Sequence, residues 1–192
     1  LSWVLDQQGI YYDASRPSEL EEILQSVAFD EQVIARAETL RARIVNEGIT
    51  KYNVGHVNWQ RPEIGSRRLI LVPGQVESDA SIQYGTTEVS KNIDLLRKVR
   101  ENNPDAYIVY KPHPDVVAGL RARGQGEDEA EALCDQLVTD VSMHELLEAV
   151  DEVHLLTSLT GFEALLRKKA VTCYGQPFYA GWGLTHDIYP VN

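Results

Sequence analysis

The sequence is short of positive charge, of cysteine and of long apolar runs. Its 18 Lys and Arg face 29 Asp and Glu, a formal net charge of −11. Nucleic-acid backbones are held by concentrated Lys and Arg, so this balance argues against a nucleic acid as partner. It leaves room for one phosphorylated ligand held locally. Two cysteines, Cys134 and Cys173, are too few for a disulfide framework and read as buried thiols, in keeping with a reducing cytoplasm. No stretch approaches the roughly 18 consecutive apolar residues of a membrane-spanning helix. No signal peptide is visible, but Leu1 is not a natural start. The opening Leu1-Ser2-Trp3-Val4-Leu5 reads as the middle of a longer chain, with room for a targeting segment upstream.

Two nucleotide fingerprints are also missing. There is no Gly-Lys-Ser/Thr phosphate loop and no Gly-x-Gly-x-x-Gly, which argues against an ordinary NTPase or dehydrogenase. His113, His144, His154 and His186 lack ligand-like spacing, so no metal is expected. His144 and His154 read as satisfied structural histidines.

What is present is ordinary globular composition, 43% hydrophobic and 24% charged, over 192 residues. That length supports one well-cored domain and a smaller appendage. Ser18 with Glu21 is a capping box for a helix from Glu19 to about Val27, and Asp30 caps a second helix to about Asn46. Lys51 to Gly65 has no period and reads as a linker or surface excursion. Beyond it, short apolar runs alternate with helical stretches. Strands are expected at Leu69–Val72, Ala106–Tyr110, Gln136–Thr139, Val153–Leu156 and Ala170–Tyr174. Helices are expected at Ile93–Val99, from Ser142 through Val150, and at Gly161–Arg167. This alternation predicts an α/β, doubly wound, mostly parallel Rossmann-like sheet over 65–192, preceded by a helical and linker segment over 1–64. The acidic stretch Arg123 to Ala132 reads as a surface loop entering a helix, with its charges solvated.

In an open parallel sheet, ligands bind beyond the carboxyl ends of the strands. Four such ends carry polar or Gly-rich sequence. After the first, Gln75, Glu77, Ser78, Asp79 and Ser81 offer carboxylates, an amide and hydroxyls; Asp79 or Glu77 suits a base, a nucleophile or a simple helix cap. After the second, Lys111-Pro112-His113-Pro114-Asp115 restrains His113 between two prolines, which suits a phosphate donor or a rigid strand exit. After the fourth, Thr157-Ser158-Leu159-Thr160-Gly161-Phe162-Glu163 places hydroxyls and a glycine at a helix start. That is an anion site or an ordinary N-cap, with Glu163 suited to ribose hydroxyls or to the helix dipole. After the fifth, Gly175 to Gly183 holds three glycines and three aromatics, suited to a base, a sugar or an interdomain plug.

Taken in order, Val72–Ser81, Tyr110–Asp115, Leu156–Leu166 and Val171–Gly183 resemble the capsule polysaccharide biosynthesis family of the KpsC type. Ser2–Asp6 and Gly9–Asp13 are similar to it as well, so the likeness spans nearly the whole chain. The resemblance implies a β-Kdo transferase of Gram-negative bacteria, built as a GT-B module. Kdo is an eight-carbon acid sugar, moved from CMP-β-Kdo with retention onto a lyso-phosphatidylglycerol-linked acceptor. No tightly bound cofactor is implied. The implied partners are the nucleotide-sugar donor, a glycolipid acceptor at the inner membrane, and capsule assembly and export proteins. The implied location is cytoplasmic, peripheral to that membrane. The chain reads as the C-terminal, donor-binding lobe with its crossing segment, without the acceptor lobe, and is expected to be inactive alone.

By motif, the resemblance makes Asp79 the essential carboxylate, supported by Gln75 and Ser81. His113, Ser158 and Thr160 would face the donor phosphate; beside the resemblance, the residues themselves suggest that Lys111 adds charge there and that Gly161 lets the phosphate approach the backbone. Glu163 would bind ribose, and Gln176 to Trp182 would line the donor site. The competing readings are a non-catalytic CMP-binding scaffold or regulatory domain, and a GT-B transferase for CMP-sialic acid or a UDP-sugar.

Overall fold

The structure, a computed structural model, describes residues 4–190. Ser2 and Trp3 of the opening motif lie outside the described residues.

Two capped helices come first. In α1 (Glu19–Ser26) the Ser18 hydroxyl accepts from the Glu21 N–H while the Glu21 carboxylate accepts from the Ser18 N–H, closing the expected capping box. Asp30 caps α2 (Glu31–Asn46) by accepting from the Val33 N–H at 2.8 Å. Arg41 of α2 donates to the Leu166 carbonyl and ties this segment to the rest of the chain.

From residue 69 the chain forms one parallel sheet. Its strands are β1 (Leu69–Pro73), β2 (Tyr107–Lys111), β3 (Gln136–Leu137), β4 (Glu152–Leu155), β5 (Ala170–Cys173) and β6 (His186–Asp187). Their spatial order is β3-β2-β1-β4-β5-β6 and every pair is parallel. The chain winds outward from β1 to β3, then crosses to start again at β4, so the winding reverses between β1 and β4. Between the strands lie α3 (Ala80–Gly85), α4 (Asn92–Asn102), α5 (Pro114–Val117), α6 (Ala130–Leu133), α7 (Met143–Ala149) and α8 (Leu159–Leu166).

Strand alternation sorts the core into two layers. Leu69, Leu71, Val109, Val153, Leu155 and Val171 pack on the face that holds Leu146 and Leu147 of α7. Ile70, Val72, Ile108 and Tyr110 pack on the opposite face against Ile93, Leu96 and Val99 of α4. Burial on both faces explains why these strands read as unbroken apolar runs.

The amino ends of the strands are held by ion pairs. Arg61 forks onto Asp151, whose carboxylate also accepts the Leu69 N–H at 2.8 Å. Arg68 pairs with Glu152, while Arg67 and Arg100 converge on Asp135. These ion pairs therefore sit at the edge remote from the strand-end loops.

Three elements went unanticipated: α3, α5 and β6. Each is six residues or shorter, too short to express a period. The third strand is shorter than expected and the last helix begins two residues earlier, at Leu159. The acidic loop corrects a further expectation. Glu129 and Glu131 are exposed, but Glu127 is only 2% exposed. Its carboxyl accepts from the Tyr110 hydroxyl, the Gly124 N–H and the Asn92 amide. Those donors lie inside the α4 layer, and that is why a glutamate is tolerated there. The histidines are half as expected. His154 shares its Nε2 with Glu152, but Nδ1 of both His144 and His154 is buried with no hydrogen bond among the described residues. Cys173 is buried as expected, whereas Cys134 is only partly so.

Gly175, directly after β5, marks the closest approach of three loops. A Cβ there would stand 2.8 Å from the carbonyl oxygens of both Gly85 and Leu156. Neither backbone atom can rotate away. Gly175→Ala should therefore cost about 1–3 kcal/mol of overpacking strain, read as a lower urea midpoint at unchanged slope.

Candidate functional site

A cavity of about 410 Å³ opens at the carboxyl edge of the sheet, above the reversal between β1 and β4. This is the position at which open α/β sheets bind ligands, and the size suits a small organic ligand. Loops after β1, β2, β4 and β5 all reach it, and so do parts of the N-terminal segment.

The loop after β1 carries Gln75, Asp79 and Ser81 to the lining. Gln75 is committed to the frame. Its backbone N–H and carbonyl both bond the Asn92 side-chain amide, at 2.9 and 2.8 Å. Its own side-chain amide accepts from the Thr157 N–H at 2.9 Å and donates to the Thr157 hydroxyl at 3.0 Å. The β1 and β4 loops are thereby locked in register. Asp79 stands at the N-cap position of α3, yet its side chain makes no cap bond. It turns instead to Arg121, whose Nη2 donates to it at 2.8 Å.

The loop after β2 carries Lys111 and His113. The Asp115 N–H donates to His113 Nδ1 at 3.2 Å, which leaves Nε2 as the protonated nitrogen of the neutral ring. Burial lowers the His113 pKa, which favours the uncharged ring. The Tyr52 ring meets it edge-on, centroids 5.3 Å apart. Lys111 lines the cavity, but its ammonium donates to the Thr139 carbonyl at 3.1 Å, and burial lowers its pKa too.

The loop after β4 leads into α8. Ser158 caps that helix, accepting from the Thr160 N–H at 3.2 Å and donating to the Thr160 hydroxyl at 3.1 Å. The N-terminus of α8 therefore faces the cavity with a positive dipole end and two hydroxyls. Glu163, one turn further, is buried, and its carboxylate accepts from the Lys51 N–H at 2.5 Å. Desolvation raises its pKa. Gly161 does not line the cavity. A Cβ there would strike Leu155 at 2.7 Å and the Tyr179 ring carbon at the same distance, so this glycine serves helix packing and not phosphate approach. Gln176 lines the cavity and donates to the Pro190 carbonyl at 2.7 Å.

The other wall comes from outside the four strand-end loops. Tyr11, Tyr12, Lys51, Tyr52 and Val54 all line the cavity from the segment before β1, together with Met143 of α7. Tyr11 stacks edge-on with Tyr12 and with Phe178, centroids 5.5 and 5.6 Å apart. One side of the cavity is thus aromatic and the other polar. Among the described residues no group of three His, Cys, Asp or Glu side chains could hold a metal ion. No helix among them is long and apolar enough to cross a membrane.

Comparison with known proteins agrees with this architecture. The family model for capsule polysaccharide biosynthesis proteins matches residues 1–191. The capsule polysaccharide modification protein LipA of Neisseria meningitidis serogroup A is 51% identical over 191 residues, covering 100% of this chain and 27% of LipA. The lipopolysaccharide-processing protein LpsZ of Rhizobium meliloti is 44% identical over 193 residues, covering 99% of this chain and 44% of LpsZ. Two solved structures of Thermosulfurimonas dismutans KpsC superpose on the fold. The one described as a beta Kdo 2,7 transferase gives a TM-score of 0.81 at 47% identity, covering 97% of this chain and 55% of that one. The one described as a beta Kdo 2,4 transferase gives 0.82 at 32% identity, covering 97% and 58%. The chain thus spans under half the length of these curated relatives and little more than half of the solved chains. Its parallel α/β sheet matches part of the GT-B-like KpsC architecture. With the match running along nearly its whole length, the chain belongs to the capsule polysaccharide biosynthesis family.

Proposed function

We propose that this chain is the donor-binding part of a retaining glycosyltransferase that moves Kdo from CMP-β-Kdo to a glycolipid-linked acceptor in capsule linker synthesis. The observation that carries the reading is the convergence of Asp79, His113 and the α8 N-terminus on one cavity with an aromatic wall. The two KpsC structures described as beta Kdo transferases support the choice of sugar.

On this reading the aromatic wall takes the apolar faces of the nucleotide, and Glu163 the ribose. His113 Nε2–H, the Ser158 and Thr160 hydroxyls and the α8 N–H groups receive the phosphate. These donors are preorganised for the charge that develops as CMP leaves. The bond between the anomeric carbon and the phosphate oxygen breaks, and its electron pair departs with CMP. Asp79 meets the positive carbon on the opposite face, as nucleophile or ion-pair partner. The acceptor hydroxyl then attacks that carbon from the face CMP vacated, the bond to Asp79 breaks with its electron pair returning to the carboxylate, and the hydroxyl proton passes to the phosphate. Two inversions give retention. Lys111 contributes a positive potential, with its ammonium held at Thr139.

Calorimetry on the full-length protein tests the donor class. CMP should bind more tightly than UMP or ADP, and His113→Ala should weaken CMP binding roughly 10- to 100-fold, the worth of one hydrogen bond to a charged group. Equal affinity for the three nucleotides, or unchanged CMP binding in the variant, would overturn the assignment.

A further inference from the structure

We propose that Arg121 is the residue that recognises the carboxylate of the acid sugar, and so decides that the donor is a 2-keto acid sugar and not a neutral hexose. The inference rests on the donor reading above. Arg121 lies outside all four strand-end motifs, and it is not among the residues that line the cavity. It reaches the site through Asp79.

The fold presents it deliberately. The turn that begins with His113 is the four-residue helix α5, which ends in left-handed Gly119, φ 71°. The Leu120 and Arg121 N–H groups both close back on the Asp115 carbonyl, at 2.8 and 3.1 Å. That closure sends the chain back toward the β1 loop. Arg121 Nη2 then donates to Asp79 at 2.8 Å and lies 3.4 Å from the Ser78 hydroxyl. One short turn thus delivers His113 at its start and a guanidinium just past its end. His113 lines the cavity itself, and the guanidinium meets it at Asp79.

The chemistry of the donor makes this contact informative. In a 2-keto acid sugar the carboxyl carbon is bonded directly to the anomeric carbon. Whatever carboxylate faces the anomeric carbon must therefore also face the sugar's own carboxylate, one bond away. Two carboxylates at that separation repel unless a cation lies between them. Arg121 is the cation in contact with Asp79, and its Nε and Nη1 carry no hydrogen bond among the described residues. A guanidinium can bridge two carboxylates through separate edges of its fork, which a point charge does less well. A neutral hexose offers no second anion, so it gains nothing from this arrangement.

The plain alternative is a half-exposed ion pair, with side chains 44% and 45% exposed and little net worth to stability. The two readings separate in a transfer assay on the full-length protein, by the KM for CMP-Kdo and the competitive Ki of CMP. CMP carries the phosphate but no sugar carboxylate. R121Q should raise the KM for CMP-Kdo roughly 10- to 100-fold and leave the Ki of CMP within about twofold, with R121K intermediate. A Ki that rises in step with KM would make Arg121 a phosphate ligand and overturn the proposal. So would two unchanged constants, the result for a surface ion pair. A wild-type protein that neither turns over CMP-Kdo nor is inhibited by CMP would instead bring down the donor reading, and this inference with it.

Discussion

Asp79→Asn should reduce Kdo transfer by at least about a thousandfold while leaving CMP affinity within about threefold of wild type. The asymmetry follows from position. Asp79 sits at the first residue before α3 but makes no cap bond, so the substitution removes no helix-stabilising interaction. Its partner is Arg121, and both side chains are half exposed, so the fold loses little when the pair is broken. The amide is nearly isosteric, and the phosphate side of the cavity, built from His113, Ser158 and Thr160, is untouched. What disappears is negative charge opposite the carbon from which CMP departs. A variant that transfers at the wild-type rate would remove Asp79 from the chemistry. A variant that loses CMP binding as well would make it a nucleotide ligand.

The second large effect is expected just behind the cavity lining. Glu127→Ala should destabilise the protein by about 3 kcal/mol, because three donors lose this acceptor together, the Tyr110 hydroxyl among them fully buried. They are the buried Tyr110 hydroxyl, the part-buried Gly124 N–H and the Asn92 amide, which keeps its bond to the Gln75 carbonyl. Urea unfolding reads the loss directly. Tyr110→Phe in the same background should then cost less than it does in wild type, since its hydroxyl already lacks a partner, and the shortfall measures the coupling. Asn92 is the link to function. It holds both the N–H and the carbonyl of Gln75, and Gln75 holds Thr157 beside the α8 cap. Strictly additive costs for the two substitutions would show that Tyr110 and Glu127 do not act together.

These two residues illustrate what was and was not legible in the amino-acid order. Asp79 follows a short apolar strand in a polar loop, and the rule for parallel sheets picks out that position without a structure. Gln75, Lys111, His113, Ser158, Thr160, Glu163 and Gln176 emerged in the same way, and all of them line the cavity. Glu127 did not. It sits in a run of four acids in five residues, and in such a run nothing local marks the one carboxyl that turns inward. Its partners, Tyr110 and Asn92, are 17 and 35 residues away. The aromatic wall was hidden for a related reason. Tyr11, Tyr12 and Tyr52 belong to segments without a regular period, and long-range contacts place them, Tyr11 on Phe178 after β5 and Tyr52 on His113 after β2. Gly161 shows the opposite error. A glycine at a helix start beside hydroxyls suggests phosphate approach, but here the space above it belongs to Tyr179.

The two outermost strands, β3 and β6, are each only two residues long. A parallel sheet ordinarily ends in a ladder of free N–H and C=O groups, open to annealing with another molecule. Here the rims offer almost no such template. The sheet can therefore keep its apolar middle strands long and regular without inviting self-association through its sides.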